Sequence, residues 1–182
     1  MQEQPQRCWR QPGSTGDRMR VTMGEGSTPL AASVRIGPRH GAGRLLFKLE
    51  SCNPTGSYKD RFVAAEVECI LRRGARACVA TSSGNTGASL AAYCARSGLQ
   101  CFIVVNVEAP AGKLAQMQAH GARVLRIPGF VTDPATTKAV YAQLEELATS
   151  RNVPLVVSAY RYCPEGMAGV ESIAEELTEQ AP

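Results

Sequence analysis

The stretch Ala77-Cys-Val-Ala-Thr-Ser-Ser-Gly-Asn-Thr-Gly-Ala-Ser-Leu-Ala-Ala-Tyr-Cys-Ala-Arg-Ser-Gly98, continued by Leu99-Gln-Cys-Phe-Ile-Val-Val-Asn106, decides the fold. A short apolar run over Ala77 to Thr81 gives way to small polar residues, and residues 86–97 then follow a helical period. Gly98 stands where the helix should stop, because glycine accepts the left-handed conformation that ends helices. A second apolar run, Cys101 to Asn106, follows at once. Strand, helix and strand in this order form the repeating unit of a parallel sheet.

The same alternation extends in both directions. Further strands are expected at residues 45–49, 123–127 and 154–158, and helices at 60–73, 113–120, 134–150 and 167–178. Gly74 and Gly121 occupy stop positions like that of Gly98. The expected fold is α/β with a doubly wound parallel sheet. Residues 1–20, rich in Gln, Arg, Gly and Pro, read as a flexible lead. Residues 100–158 form a strand-helix-strand-helix-strand run that suits a small subdomain set between parts of a larger one.

Composition narrows the function. The hydrophobic content of 44% suits a globular core, and the net charge of +4 is spread over scattered arginines. Without a basic run or many aromatic residues, nucleic-acid binding is not expected. Seven cysteines with no C-x-x-C pair point to free thiols in a reducing compartment rather than to disulfides or structural zinc. Neither a secretory signal nor an apolar stretch of membrane-spanning length is found, so a cytoplasmic location without a membrane partner is expected.

Two segments place small polar residues at strand-to-helix junctions, where open parallel sheets bind ligands. In Ser51-Cys-Asn-Pro-Thr-Gly-Ser-Tyr-Lys-Asp-Arg61, Pro54 and Gly56 force a turn and Ser57 can cap a helix whose first residues include Lys59. A cation is disfavoured at the positive end of a helix, and that placement favours a neutral, nucleophilic amine. A solvated surface lysine is the competing reading. The other three lysines, Lys48, Lys113 and Lys138, have ordinary places on a strand, at a helix start and on a polar helix face.

In Thr81-Ser-Ser-Gly-Asn-Thr-Gly-Ala-Ser89, backbone N–H groups with the hydroxyls of Ser82, Ser83 and Thr86 can cradle a carboxylate or phosphate. Asn85 can donate to or accept from a ring oxygen. Taken alone, the loop fits an unliganded capping turn equally well. A dinucleotide fingerprint, a P-loop and a nucleophile elbow all fail by count, and with only His40 and His120 neither a histidine-based triad nor a metal site is expected.

Asn53-Pro-Thr-Gly-Ser-Tyr-Lys-Asp-Arg61 followed by Ser82-Ser-Gly-Asn-Thr-Gly87 resembles the fold-type II pyridoxal-phosphate enzymes, which include threonine synthase, threonine dehydratase, cysteine synthase and the tryptophan synthase β chain. Gly24-Glu-Gly-Ser-Thr-Pro-Leu30 is similar to the threonine synthase entry segment, and Ala111 to Leu114 with Gly121 to Val124 resembles its small domain. The resemblance implies a sheet of the tryptophan synthase β-chain type and pyridoxal 5′-phosphate as cofactor. Lys59 would be the catalytic and cofactor-linking lysine, Asn85 would bind the cofactor's ring oxygen, and Ser82, Ser83 and Thr86 would bind the substrate carboxylate. No metal is implied.

By the same resemblance, residues 21–99 begin the large cofactor-binding domain, 100–158 form the small one, and 159–182 return to the large domain and stop. The expected activity is elimination or replacement on a small amino acid by a threonine synthase-type lyase, little expressed by this half-length chain. A threonine dehydratase or cysteine synthase-like enzyme and a non-catalytic binding module are the alternatives, and the full-length protein is expected to self-associate. Where threonine synthases hold the substrate phosphate, Val157 and Cys163 stand in two of the places and Arg161 is out of register.

Overall fold

A computed structural model of the chain describes residues 21–181. The lead expected over residues 1–20 lies outside them. The described chain opens with an antiparallel pair, β1 (Leu30–Ala32) and β2 (Leu46–Lys48), bridged by the short helix α1 (Ile36–Arg39). A 3-10 turn at Glu50–Cys52 then leads to α2 (Lys59–Arg72).

From here strands and helices alternate: β3 (Ala77–Ala80), α3 (Asn85–Ser97), β4 (Gln100–Asn106), α4 (Ala111–Ala119), β5 (Arg123–Ile127), α5 (Pro134–Arg151) and β6 (Leu155–Val156). The four strands β3 to β6 form one parallel sheet in the order β5-β4-β3-β6. β3, from before residue 100, therefore lies between β4 and β6. The α/β fold with a parallel sheet agrees with the expectation.

Side chains alternate across this sheet, as the two-residue period of a strand demands. Cys78 and Ala80 of β3, with Ile103 and Val105 of β4, enter a core completed by Phe62, Val63, Val67 and Ile70 of α2 and Leu90 and Tyr93 of α3. Val79 and Val104 face the opposite way, toward Phe130 and toward Val140 and Leu144 of α5. Helices therefore cover both faces, which is the doubly wound arrangement. Each fully buried Phe62, Ile70 or Leu90 contributes about 1.5–3 kcal/mol.

Helix ends fall where punctuation stands. Gly74, Gly98 and Gly121 have φ of 73°, 69° and 81°, in the left-handed region. α5 begins with Pro134 at its first turn, capped by the Asp133 carboxylate, which accepts from the Thr136 N–H at 2.7 Å. The helix expected at 167–178 is two helices, α6 (Pro164–Val170) and α7 (Ser172–Gln180). At their joint the Glu171 N–H bonds the Ala168 carbonyl three residues back, so the ladder tightens and restarts.

Candidate functional site around Lys59

Asn53 to Gly56 form a turn closed by the Gly56 N–H on the Asn53 carbonyl at 2.8 Å. The following helix is locked to that turn by Asp60, whose fully buried carboxylate accepts from the Thr55 N–H at 2.7 Å and from the Thr55 hydroxyl. The same carboxylate accepts from the Ser89 hydroxyl of α3 at 2.5 Å. One side chain thus fixes the turn, the start of α2 and the second turn of α3 relative to one another. The cap position of α2 is Tyr58 rather than the expected Ser57, which stands one residue earlier with its hydroxyl accepting the Lys59 N–H at 3.3 Å.

Lys59 is the first residue of α2 and is half-buried. Its Nζ donates to Ser158 Oγ at 3.1 Å and lies 4.3 Å from the centre of the Tyr58 ring. Among the described residues no carboxylate pairs with it. Lys48, by contrast, is neutralised by Glu176 at 2.5 Å, with Thr28 and Gln180 accepting as well. Lys48 is therefore a largely buried structural cation rather than a strand-surface lysine.

Sheet register brings the second segment to the same edge. Ala80 of β3 is paired with Val156 of β6, so the chain leaves both strands side by side at their carboxyl ends, toward Thr81 and Ser82 on one side and Val157 and Ser158 on the other. Ser82 Oγ accepts the N–H groups of Gly84 at 3.3 Å and Gly87 at 3.1 Å, so this hydroxyl organises the loop. Ser83 and Asn85 are exposed, while Thr86 is buried at 6%. Asn85 is the first residue of α3 after the cap position Gly84, and its side chain makes no hydrogen bond among the described residues, so it is not the cap.

Gly87 makes the tight loop possible. A Cβ there would sit 2.4 Å from the Ser82 carbonyl oxygen and 2.7 Å from Met117 Cε. Only a glycine lets α3 start this close to its own entry loop.

Behind Lys59, on the other side of α2, Arg61 anchors a buried network that sequence reasoning missed. Two positions along a helix differ by about 200°, so the two side chains diverge. The Arg61 guanidinium, 2% exposed, donates to Glu50 at 2.8 Å and to Glu176 of α7 at 2.6 and 2.9 Å. Ser172 and Thr28 also accept from it. Hydrogen bonds from Arg61, then from Lys48 and the Ser27 N–H, hold the Glu176 carboxyl down at about 2 against the opposing effect of burial. Burial pushes the Glu50 carboxyl up, but bonds from Arg61, Thr28 and Asn53 outweigh it and keep the group below its ordinary range. A cavity of about 300 Å³ borders this network at Glu25, Arg61, Glu68 and Glu176, not Lys59.

The three positions compared with the threonine synthase pattern differ in fate. Cys163 is fully buried, Val157 is half-buried, and Arg161 is exposed with its guanidinium 5.6 Å from the centre of the Tyr162 ring. Signals for Asp60, Ser89 and Ser158 existed only as ordinary polar residues in or near the quoted segments. What distinguishes them is contact between elements far apart in the chain.

Known proteins supply an independent line. A family model described as pyridoxal-phosphate dependent enzyme matches residues 21–182. Threonine synthase of Mycobacterium leprae (strain TN) is 44% identical over 114 residues, 62% of this chain and 31% of that protein. Threonine synthase of Synechocystis sp. (strain ATCC 27184 / PCC 6803 / Kazusa) is 35% identical over 164 residues, 89% of this chain and 41% of that protein. The chain therefore spans less than half the length of these curated relatives.

Among solved structures, a pyridoxal 5′-phosphate-dependent aspartate racemase superposes with a TM-score of 0.71 and 31% identity, covering 85% of this chain and 46% of that one. Serine racemase from Dictyostelium discoideum gives a TM-score of 0.69 at 25% identity, covering 85% of this chain and 47% of that one. Since the family match runs through every described residue, and the fold agrees with it, the chain belongs to the pyridoxal-phosphate dependent enzymes, in their threonine synthase-like fold-type II branch.

Proposed function

We propose that this chain carries the lysine-bearing part of a pyridoxal-phosphate dependent lyase of the threonine synthase type, acting on a small amino acid by elimination or replacement. The observation that carries the reading is the Lys59 amine at the carboxyl edge of the sheet, 3.1 Å from Ser158 Oγ, beside the loop that starts α3. The residues fit the cofactor: an amine without a carboxylate partner is available for a covalent link, and the exposed, unbonded Asn85 side chain is available for the ring oxygen. Pyridoxal phosphate, when bound, takes up the electron pair released when a bond at the amino acid's α-carbon breaks.

The chain's own groups do the rest. Asp60 holds α2 against Thr55 and Ser89, so Nζ of Lys59 projects from a fixed backbone. That nitrogen is the atom we assign to cofactor attachment and to moving the α-proton. Ser158 orients it through the 3.1 Å hydrogen bond. Ser83 and Asn85, exposed where α3 begins, would receive the substrate carboxylate and the ring oxygen, with Ser82 shaping the loop through the Gly84 and Gly87 N–H groups and Thr86 supporting it from within. Because Arg161 lies on Tyr162 and Cys163 is buried, a substrate with an uncharged side chain, as in a dehydratase or cysteine synthase-like reaction, is the second reading.

Borohydride reduction of the chain with pyridoxal phosphate, followed by peptide mass mapping, tests the assignment. The label is expected on Lys59. A label on Lys48, Lys113 or Lys138 instead would remove its basis. A substrate panel of phosphorylated and unphosphorylated small hydroxy- and acyl-amino acids, run on a protein of the relatives' full length, separates the two readings.

A further inference from the structure

Three thiols away from Lys59 converge in the core. Cys78 of β3 and Cys101 of β4 are register partners on neighbouring parallel strands, so their side chains leave the same face of the sheet. Cys94 of α3 meets them from the helix layer. The three Sγ atoms lie within 4.8 Å of one another, with Cys78 and Cys94 separated by 3.6 Å. All three are buried, at 0%, 0% and 5% exposure for Cys78, Cys94 and Cys101, and none is in a disulfide.

A regular triangle with sides of 3.6 to 4.8 Å has its centre roughly 2.1–2.8 Å from each corner, which brackets the metal–sulfur distance of about 2.3 Å known for zinc thiolates. Among the described residues no imidazole or carboxylate joins the cluster, so the donor set is sulfur only and threefold. Structural zinc sites take four ligands, whereas soft thiolate donors select ions such as copper(I). A buried metal site also needs an entry path. A cavity of about 230 Å³ reaches Cys101 past Leu99, His120, Gly121 and Arg123.

We propose that Cys78, Cys94 and Cys101 form a three-thiolate site for a soft monovalent ion, copper(I), admitted past Cys101. Binding makes three copper–sulfur bonds and releases one proton to solvent from each thiol that binds as thiolate, with no electron transferred. The bound ion ties β3, α3 and β4 together, and β3 and α3 are the elements that hold the Ser82 to Thr86 loop.

The test uses the full 182-residue chain with Cys8→Ser and Cys52→Ser, which removes two cysteines outside the cluster. Copper(I) is supplied anaerobically as its acetonitrile complex and challenged with a chromogenic copper(I) chelator. Retention of about one ion per chain is expected, with X-ray absorption showing three sulfur neighbours and no nitrogen or oxygen. Cys94→Ala should weaken retention by roughly tenfold or more, since even outer-sphere changes cost that much, while Cys69→Ala, also at a buried cysteine, should not. Circular dichroism checks that both variants are folded, and if Cys94→Ala is not, the sulfur count of the parent protein decides. Loss of the ion to the chelator, a shell of one or two sulfurs, a shell with nitrogen or oxygen, or equal retention by a folded Cys94→Ala variant would each overturn the proposal.

Discussion

Replacing Arg61 by Met should reveal how far the site depends on the network behind it. The guanidinium is 2% exposed and holds two carboxylates, Glu50 and Glu176, that keep 17% and 18% of their side-chain surface in contact with water. Removing one member of a buried ion pair costs about 3–5 kcal/mol, because the partner is left buried and unpaired. Here the orphaned carboxylates can hydrate partly, and Lys48 remains beside Glu176, so the lower end, about 3 kcal/mol, applies. In a domain of this size that corresponds to a fall of roughly 6–12 °C in Tm. The assay is urea denaturation followed by circular dichroism, with a thermal scan as a second measurement.

The same variant should change the acid limb of stability. Glu176 is held at about 2 and Glu50 below its ordinary 4.5, so both are depressed in the folded chain. Their contribution is present above about pH 4.5 and is lost as pH falls through the folded values, toward pH 2. Arg61→Met removes the cause of the depression, so its stability should change less over that interval than the parent's. Adding Glu50→Gln should restore part of the lost stability, because Glu50 loses its paired cation with Arg61 while Glu176 keeps Lys48. A loss below about 1 kcal/mol, in the range of exposed ion pairs, together with an unchanged acid limb, would refute the view that Arg61 anchors α7.

Three further outcomes follow from the geometry. Asn85→Ala should cost less than about 0.5 kcal/mol, since the side chain is not a cap, yet shift the absorbance of the lysine-bound cofactor in a full-length protein; a loss of about 1 kcal/mol with an unchanged spectrum would restore the capping reading. Gly87→Ala should destabilise by roughly 1–3 kcal/mol and lower cofactor affinity, because Met117 can give way but the Ser82 carbonyl, 2.4 Å from the new Cβ, is backbone. The 182-residue chain alone, about half the length of the threonine synthases compared above, should show little lyase activity and lose cofactor on dialysis; retention and turnover would contradict this.

Legibility in the sequence followed the range of the interactions. β5 was expected at its observed limits because Arg123 to Ile127 is closed off by Gly121 before it and Pro128-Gly129 after it. β1 went unseen: Leu30–Ala32 is three residues with no alternation, and it is a strand only because β2 pairs with it. β6 shrank to Leu155–Val156 for the same reason, since only two of its expected residues find partners on β3. At the site, the positions of Lys59 and of the loop at Ser82 to Thr86 were visible as local turn chemistry. Asp60 with Ser89, Lys59 with Ser158 and Arg61 with Glu176 were not, because each joins residues 29, 99 and 115 positions apart.

The two-residue pairing of β6 with β3 has a consequence for when the site comes into being. Lys59 meets Ser158 only after about a hundred intervening residues have closed into a loop, and that contact rests on the fewest strand hydrogen bonds in the sheet. Such a junction belongs to the last region to consolidate during folding and the first to open in the native state. Amides near Leu155 and Val156 should then exchange with deuterium sooner than those of β4, and competence to orient the lysine should rise in step with their protection.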